Sequence, residues 1–432
     1  MLLPEPVQSR SRDTVRACIT AAVELLDEGV AAVTVEAVHR RSGVATGSLY
    51  HHFGDLNRLL AVARAVRAQR SIEVPVRAAV ARYAAATTVE ELARITRAQV
   101  VGRDTPEARA AVRALTDAIA AARDRPELRD VVAGIVRAGN DRMDAALAAH
   151  RDAGRIASDA HPRAILLVSR AFAHVRLLDD LDPRPVPHRD WVTVACRVHD
   201  GLIDPRPLPP PARLGPDRRD ALAAGFVTVD LSERTDGELR VVRLVERARD
   251  LLLAGGPELV QVARLRTEQG VSAGWFHRTF GDRAGLLAAA RLDLLERTVA
   301  AEVRSYAQLV AVVRSPAELV EAVAGWVAAP DVSEAVQRMR WQRADVVVAA
   351  HASPALGLEA GRVVAAATDE IADVTRAAQD AGLLRPELAP RAIARVVQSM
   401  VFGPLLAELD GTPIAREDWR RTVRRALTPL VT

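Results

Sequence analysis

The chain has 432 residues, 49% hydrophobic, 3% aromatic and 26% charged, with a formal net charge of +4. That length favours more than one domain, and the balance is ordinary for a soluble globular protein whose cores rest on Ala, Val and Leu. So small a positive excess does not alone argue for nucleic acid, and apolar stretches such as Ala164 to Val168 and Val346 to Ala350 are too short to span a bilayer.

Met1 to Arg12 has a proline-broken start, then arginines, and no long apolar core, unlike a signal peptide. Val15, Ile19, Ala22, Val23 and Leu26 fall at helical spacing, and Gly29 stops the run as a C-cap would. Thr34 is a good N-cap for a short helix with Val35 and Val38 facing inward. Gly43 makes a tight turn, and a second short helix is predicted from about Ala45 to His52 with Leu49 inward. Asp55 caps a longer helix carrying Leu56, Leu59, Leu60 and Val62. Long amphipathic stretches follow, broken at Pro106, Pro126, Pro162 and the Pro183-to-Pro187 cluster. Leu202 to Pro216 is proline-rich and reads as a semi-rigid spacer. Phe226 to Val229 alternates and is a candidate short strand in the linker; elsewhere no period-two pattern is sustained, and the fold class expected is all-α.

The second half repeats the first. Gly43-Val44 through Phe53-Gly54-Asp55 has its counterpart in Gly270-Val271 through Phe280-Gly281-Asp282, without a gap from Gly29 and Gly256 to Leu59-Leu60 and Leu286-Leu287. After a shift of one residue, Asp152-Ala153-Gly154 matches Asp380-Ala381-Gly382, Pro162-Arg163-Ala164-Ile165 matches Pro390-Arg391-Ala392-Ile393, and Asp190-Trp191 matches Asp418-Trp419. Register held this far implies a tandem duplication of a unit of roughly 200 residues, too long for the roughly 20–50-residue period of a solenoid.

Helix, short helix, glycine turn and short helix describe a helix-turn-helix. The string Thr34-Val35-Glu36-Ala37-Val38, then Ser42-Gly43-Val44-Ala45-Thr46-Gly47-Ser48-Leu49-Tyr50-His51-His52-Phe53, closely resembles the signature of the TetR family. The second copy keeps Gly270-Val271, Gly274, Phe280, Gly281-Asp282 and Leu286-Leu287. The resemblance is sharp over the DNA-binding motif and rests on length and helical pattern beyond it. It implies a three-helix domain that reads double-stranded operator DNA and a larger helical domain that holds a small-molecule effector and dimerises through its last two helices. The implied domains are 9–58 (first helix-turn-helix), 59–203 (first ligand-binding and dimerisation domain), 204–236 (linker), 237–285 (second, divergent helix-turn-helix) and 286–432 (second helical domain). Fusion would make one chain a pseudo-dimer, with Pro162–Leu178 and Trp191–Leu202 facing Pro390–Leu406 and Trp419–Leu430 in a four-helix bundle. Further dimerisation is left open.

A recognition helix turns its N-terminal residues toward base edges in the major groove. Those positions are Ala45, Thr46, Gly47 and Ser48; Tyr50 and His51 resemble the family's phosphate contacts, Thr34 and Arg41 flank the groove, and Arg10 and Arg12 belong to an N-terminal arm. Leu49 and Phe53 are assigned to the core. The second copy offers Ser272, Ala273, Gly274, Trp275, His277 and Arg278, but Gln261 replaces Thr34 and Trp275 replaces Ser48. Trp275 is too bulky to be neutral in a groove, which leaves two alternatives: a working reader of changed specificity, or a degenerate one. Every basic residue apart from histidine is arginine, which suits bidentate contacts to phosphate and guanine.

Polar residues on otherwise apolar helices are candidates for the effector pocket: Asn140, Arg170 and His174 in the first half, and Trp326, Trp341, Gln342 and Gln398 in the second. Each competes with a plain role as a surface or satisfied core residue. Cys18 and Cys196 are far apart, form no CxxC, and read as reduced residues of a cytosolic protein, so a cytoplasmic location is expected. The ten histidines show no metal-ligand spacing, and no HExxH, GxSxG or GxxxxGKS/T string occurs, so no metal, cofactor or catalytic site is predicted. The competing class is a helical scaffold or sensor that kept the fold after losing operator reading.

Overall fold

A computed structural model describes residues 9–122, 125–218, 238–328, 334–400 and 402–432. The fold is all-α: among the described residues there is no strand, only an isolated bridge between Leu384 and Val431. Phe226 to Val229 and residues 219–236 of the expected linker lie outside the described residues.

The first half contains α1 (Ser9–Glu28), α2 (Val35–Ser42), α3 (Thr46–Phe53), α4 (Leu56–Ala84), α5 (Val89–Gly102), α6 (Pro106–Ala122), α7 (Pro126–Asp152), α8 (Pro162–Asp179) and α9 (His188–Ile203). The second contains α10 (Leu239–Gly255), α11 (Val262–Glu268), α12 (Ala273–Phe280), α13 (Arg283–Val312), α14 (Pro316–Val327), α15 (Glu334–Ala352), α16 (Pro354–Asp380), α17 (Pro390–Ser399), α18 (Phe402–Asp410) and α19 (Arg416–Leu427). Proline opens α6, α7 and α8, where its missing N–H costs no helical hydrogen bond.

The same local chemistry starts matching helices in the two halves. Asp55 accepts from the Arg58 N–H at 2.7 Å at the head of α4, and Asp282 from the Gly285 N–H at 2.9 Å at the head of α13. Thr88 and Ser315 cap α5 and α14 by accepting from Glu91 and Glu318, while each glutamate's carboxylate reaches back to a backbone N–H, of Thr87 and Arg314. These are two capping boxes, each satisfying N–H groups that a helix start leaves without partners. Gly43 and Gly270 hold φ at 70° and 64°, a left-handed turn that a side chain disfavours.

Packing divides the apolar residues into three cores. One joins α1 to the start of α4 and includes Cys18, Leu26, Val38, Leu49, Phe53 and Leu59. A second does the same for α10 to α13, with Leu244, Leu252, Leu265, Phe276 and Leu286. The third is continuous through both larger helical regions, from Ala61 to Ile203 and from Leu295 to Leu430. Helix α4 supplies Leu59, Leu60 and Ala63 to the small core and Ala61, Val62 and Ala65 to the large one, so the boundary expected at 58/59 falls inside one unbroken helix.

Helices α8 and α9 pack on α17, α18 and α19 across the large core. Ion pairs cross this contact in both directions. Arg163 meets Asp410 at 2.7 Å and Arg391 meets Asp182 at 2.8 Å; Arg197 pairs with Glu387 at 3.2 Å and Arg425 with Asp159. Asp410 is fully buried. Burial alone would push its carboxyl up, but hydrogen bonds from Thr412 and Asn140 and the Arg163 charge outweigh that and hold it below the usual carboxylate range. Arg395, also fully buried, donates to Asp179 at 2.8 Å, Asp182 at 2.6 Å, Thr368 at 2.6 Å and Gln398 at 2.6 Å.

Two expectations need correction. The segment Pro390–Leu406 is not one helix: α17 ends at Ser399 and α18 starts at Phe402, because Pro404 brings no N–H to bond the Met400 carbonyl. The last segment is helical only to Leu427, followed by a 3-10 turn over Thr428–Leu430.

Candidate functional site

The first candidate surface is the α2–turn–α3 unit. Thr34 accepts from the Ala37 N–H at 3.1 Å and starts α2, while the His39 imidazole contacts the Val44 carbonyl at 2.7 Å and braces the turn. Leu49 and Phe53 are each 1% exposed and pin α3 to the core. Its opposite face is open: Ala45, Thr46, Gly47 and His51 are exposed, Ser48 is half-buried, and Tyr50 remains 47% exposed. The Ser48 N–H bonds the Ala45 carbonyl at 2.9 Å, but Ala45 offers no side-chain cap to the first turn of α3, where a phosphate can take the Thr46 and Gly47 N–H groups.

The basic residues near this unit are not placed as expected. Arg10 and Arg12 lie within α1, which already begins at Ser9, and not in a separate arm; nothing in Ser9–Thr14 breaks the helical run. Arg41 turns back to α1, meeting Glu28 at 2.8 Å and Glu24 at 3.9 Å, so it fastens α2 to α1 rather than flanking a groove freely. Arg40 and Arg58, which sequence reasoning passed over, are exposed on α2 and on the first turn of α4.

The α11–turn–α12 unit has the same plan with different chemistry. Gln261 makes no side-chain cap at α11, whereas Ser272 caps α12 by accepting from the Trp275 N–H at 3.2 Å. Trp275 is half-buried, its ring edge-on to Phe280 with centroids 6.3 Å apart, and it packs against its own domain's core. His277 contacts the Gly281 carbonyl at 2.5 Å. Ser272, Ala273, Gly274 and Arg278 are exposed. Arg264 is taken up by Glu268 at 2.7 Å.

A cavity of about 500 Å³ opens between α4, α5, α6, α7 and α8. Its walls are mainly apolar, including Ile72, Val76, Leu115, Met143 and Leu166. Arg82, Gln99, Arg103, Arg170 and His174 bring polar groups to it. Arg170 and His174, polar residues on an otherwise apolar helix that the sequence marks as pocket candidates, both line this space. Gln99 and Arg103 escaped notice, because nothing local in α5 signals a wall shared by five helices.

The His174 Nδ1 lies 2.9 Å from the Arg170 carbonyl and its Nε2 is buried without a partner. Burial and the adjacent Arg170 charge push its pKa down to about 4. Burial, then the nearby Arg103 charge, lower the Arg170 guanidinium to about 10. Arg103 donates to the Ser169 carbonyl at 3.2 Å.

Residues 19–63, covering most of α1, α2, α3 and the start of α4, match the family described as bacterial regulatory proteins, tetR family. That segment carries a tetR-type DNA-binding domain. No curated protein matches the chain. Among solved structures, one from Rhodococcus sp., described as a TetR-family transcriptional regulator, is 23% identical, covers 45% of this chain and 98% of its own, and superposes with a TM-score of 0.33.

The other candidate pocket residues lie elsewhere. Asn140 donates its amide N–H to Asp410 across the halves, at the α7–α18 contact. Trp341 donates to Glu408 at 3.0 Å, Gln342 to the Leu252 carbonyl at 2.7 Å, and Gln398 accepts from Arg395 at 2.6 Å. Trp326 packs partly buried against the large core. None of these lines the cavity beside α8. Among the described residues no cluster of His, Cys, Asp or Glu could hold a metal, and no helix is long and apolar enough to cross a membrane.

Proposed function

We propose that this chain is a cytoplasmic, ligand-responsive transcription regulator of the TetR type, a repressor whose grip on operator DNA is relieved or altered by a small molecule in its helical domain. The observation that carries the reading is the exposed N-terminal face of α3, held out by buried Leu49 and Phe53 in the segment that matches the tetR family. The cavity against α4 and α8 lies where an occupant would press on α4, a helix whose buried residues enter both the reading domain's core and the large core.

We further read the chain as two such units fused into a single-chain pseudo-dimer. In support, Arg163–Asp410 and Arg391–Asp182 join matching residues of the two halves reciprocally, as do Arg425–Asp159 and Arg197–Glu387. Such reciprocity is what a two-fold, self-complementary interface produces. Gly201 and Pro429 occupy matching positions and face each other at this contact; a Cβ on Gly201 would lie 2.7 Å from the Pro429 ring. A homodimer reads a palindrome because its two helices are identical. Here α3 presents Ser48, Tyr50 and His51 where α12 presents Trp275, His277 and Arg278, so the operator is asymmetric.

A second reading keeps only α3 as a reader and treats α12 as a structural remnant; the inward packing of Trp275 and the Arg264–Glu268 pair favour it. Titration of an operator duplex with the intact chain, followed by sedimentation, tests the proposal. One 46.5 kDa chain per site, with binding that weakens steeply as salt rises, is expected. Two chains per site would overturn the pseudo-dimer, and salt-insensitive or absent binding would favour the scaffold.

A further inference from the structure

The lining of the cavity beside α8 is unbalanced in charge. Arg103 and Arg170 both reach it, Arg82 stands at its exposed edge, and among the described residues no aspartate or glutamate lines it. The carboxylates nearest to hand are already engaged: Asp410 by Arg163 and Asn140, and Asp104 by Arg176 and His188. Arg103 donates to the Ser169 carbonyl, and the Arg170 NH1 is buried with no hydrogen-bond partner among the described residues. Two guanidiniums that repel each other in a low-dielectric space are costly unless an anion joins them.

The rest of the lining narrows the class. Ile72, Val76, Ala79, Leu115, Met143 and Leu166 form a wall for a hydrocarbon body, not for a small inorganic ion. The cavity of about 500 Å³ has room for roughly seventeen water-sized groups at about 30 Å³ each. Guanidiniums also bind planar carboxylates in a two-pronged fashion that an amine or ester cannot exploit.

We infer that this cavity takes an amphipathic organic carboxylate, its charged end between Arg103 and Arg170 and its hydrocarbon body against α4, α6 and α7. This deepens the effector reading and rests on it for its regulatory meaning, though not for binding itself. Arg170, with His174 one turn away, and Arg103 supply the two cationic contacts.

The test uses the intact chain and three probes of equal length: decanoate, 1-decanol and decylamine, titrated by calorimetry. Decanoate is expected to bind once per chain, at least tenfold tighter than 1-decanol, with decylamine weakest. Arg170→Gln and Arg103→Gln should each weaken decanoate at least tenfold and leave 1-decanol unchanged. Arg103 and Arg170 are each half-buried, and whichever variant keeps the parent's circular dichroism spectrum decides the matter. Equal affinity for acid and alcohol, no decanoate binding, or wild-type decanoate affinity in the folded variants would overturn the inference. Decanoate that binds as described but leaves operator retention unchanged would sink the effector role and leave the carboxylate site standing.

Discussion

At the scale of single residues, buried charge decides most of what is unusual here. Arg395 satisfies Asp179 and Asp182 from the other half, so removing its guanidinium leaves buried carboxylates short of a partner. Arg395→Met is expected to lower stability by about 3 kcal/mol, the scale for breaking a buried ion pair, read as a shift in the urea midpoint. The buried histidines give a pH dependence with a definite sign. His174 and His199 are held down to about 4, each with Nε2 buried and unpartnered. The folded chain keeps them neutral while the unfolded chain protonates them, so stability present above the ordinary histidine value of ~6.5 is lost as pH falls toward 4. Each contributes a loss of about 2 kcal/mol between about pH 7.5 and about pH 5. His199→Leu, which installs the residue found at the matching Leu427, should shrink that drop by about the same amount in paired denaturation curves.

At the scale of elements, the legible parts were those set by one residue and its neighbours. Thr34, Asp55 and Gly43 announce a cap, a cap and a turn because each solves a backbone problem within a few residues. Thr34→Ala and Asp55→Ala are each expected to cost about 1 kcal/mol. Gly43→Ala, at φ 70°, should cost a similar ~1–2 kcal/mol. Circular dichroism melts of the three variants against the parent would check the set; parental melting in all of them would contradict the cap and turn assignments. What depended on several helices at once was harder to see. Arg170 and His174 stand out one turn apart, yet Arg103 joins them only when α5 folds against α8. Asn140 resembles a pocket residue in sequence and is instead spent on Asp410, far along the chain. The continuity of α4 hid the domain boundary, since its two faces alternate between cores.

At the scale of the whole molecule, the continuous core and the two-way ion pairs hold the proposed halves together. Gly201 sits where a side chain would strike the Arg425 carbonyl and the Pro429 ring. Gly201→Val is therefore expected to pry the halves apart, lowering the melting temperature and weakening operator binding while α3 itself stays folded. Unchanged melting and binding would show that this contact matters little. The proposed fusion would also remove the need for a palindrome, and with it the constraint that α3 and α12 agree.

That freedom is the centre of the account, and selection of bound duplexes from random DNA addresses it most directly. The intact chain would be run beside Tyr50→Ala and Arg278→Ala at near-physiological salt. An asymmetric site, with one half lost in each variant, is the predicted result. Enrichment of a perfect palindrome, or a site that responds to Tyr50→Ala alone, would contradict it.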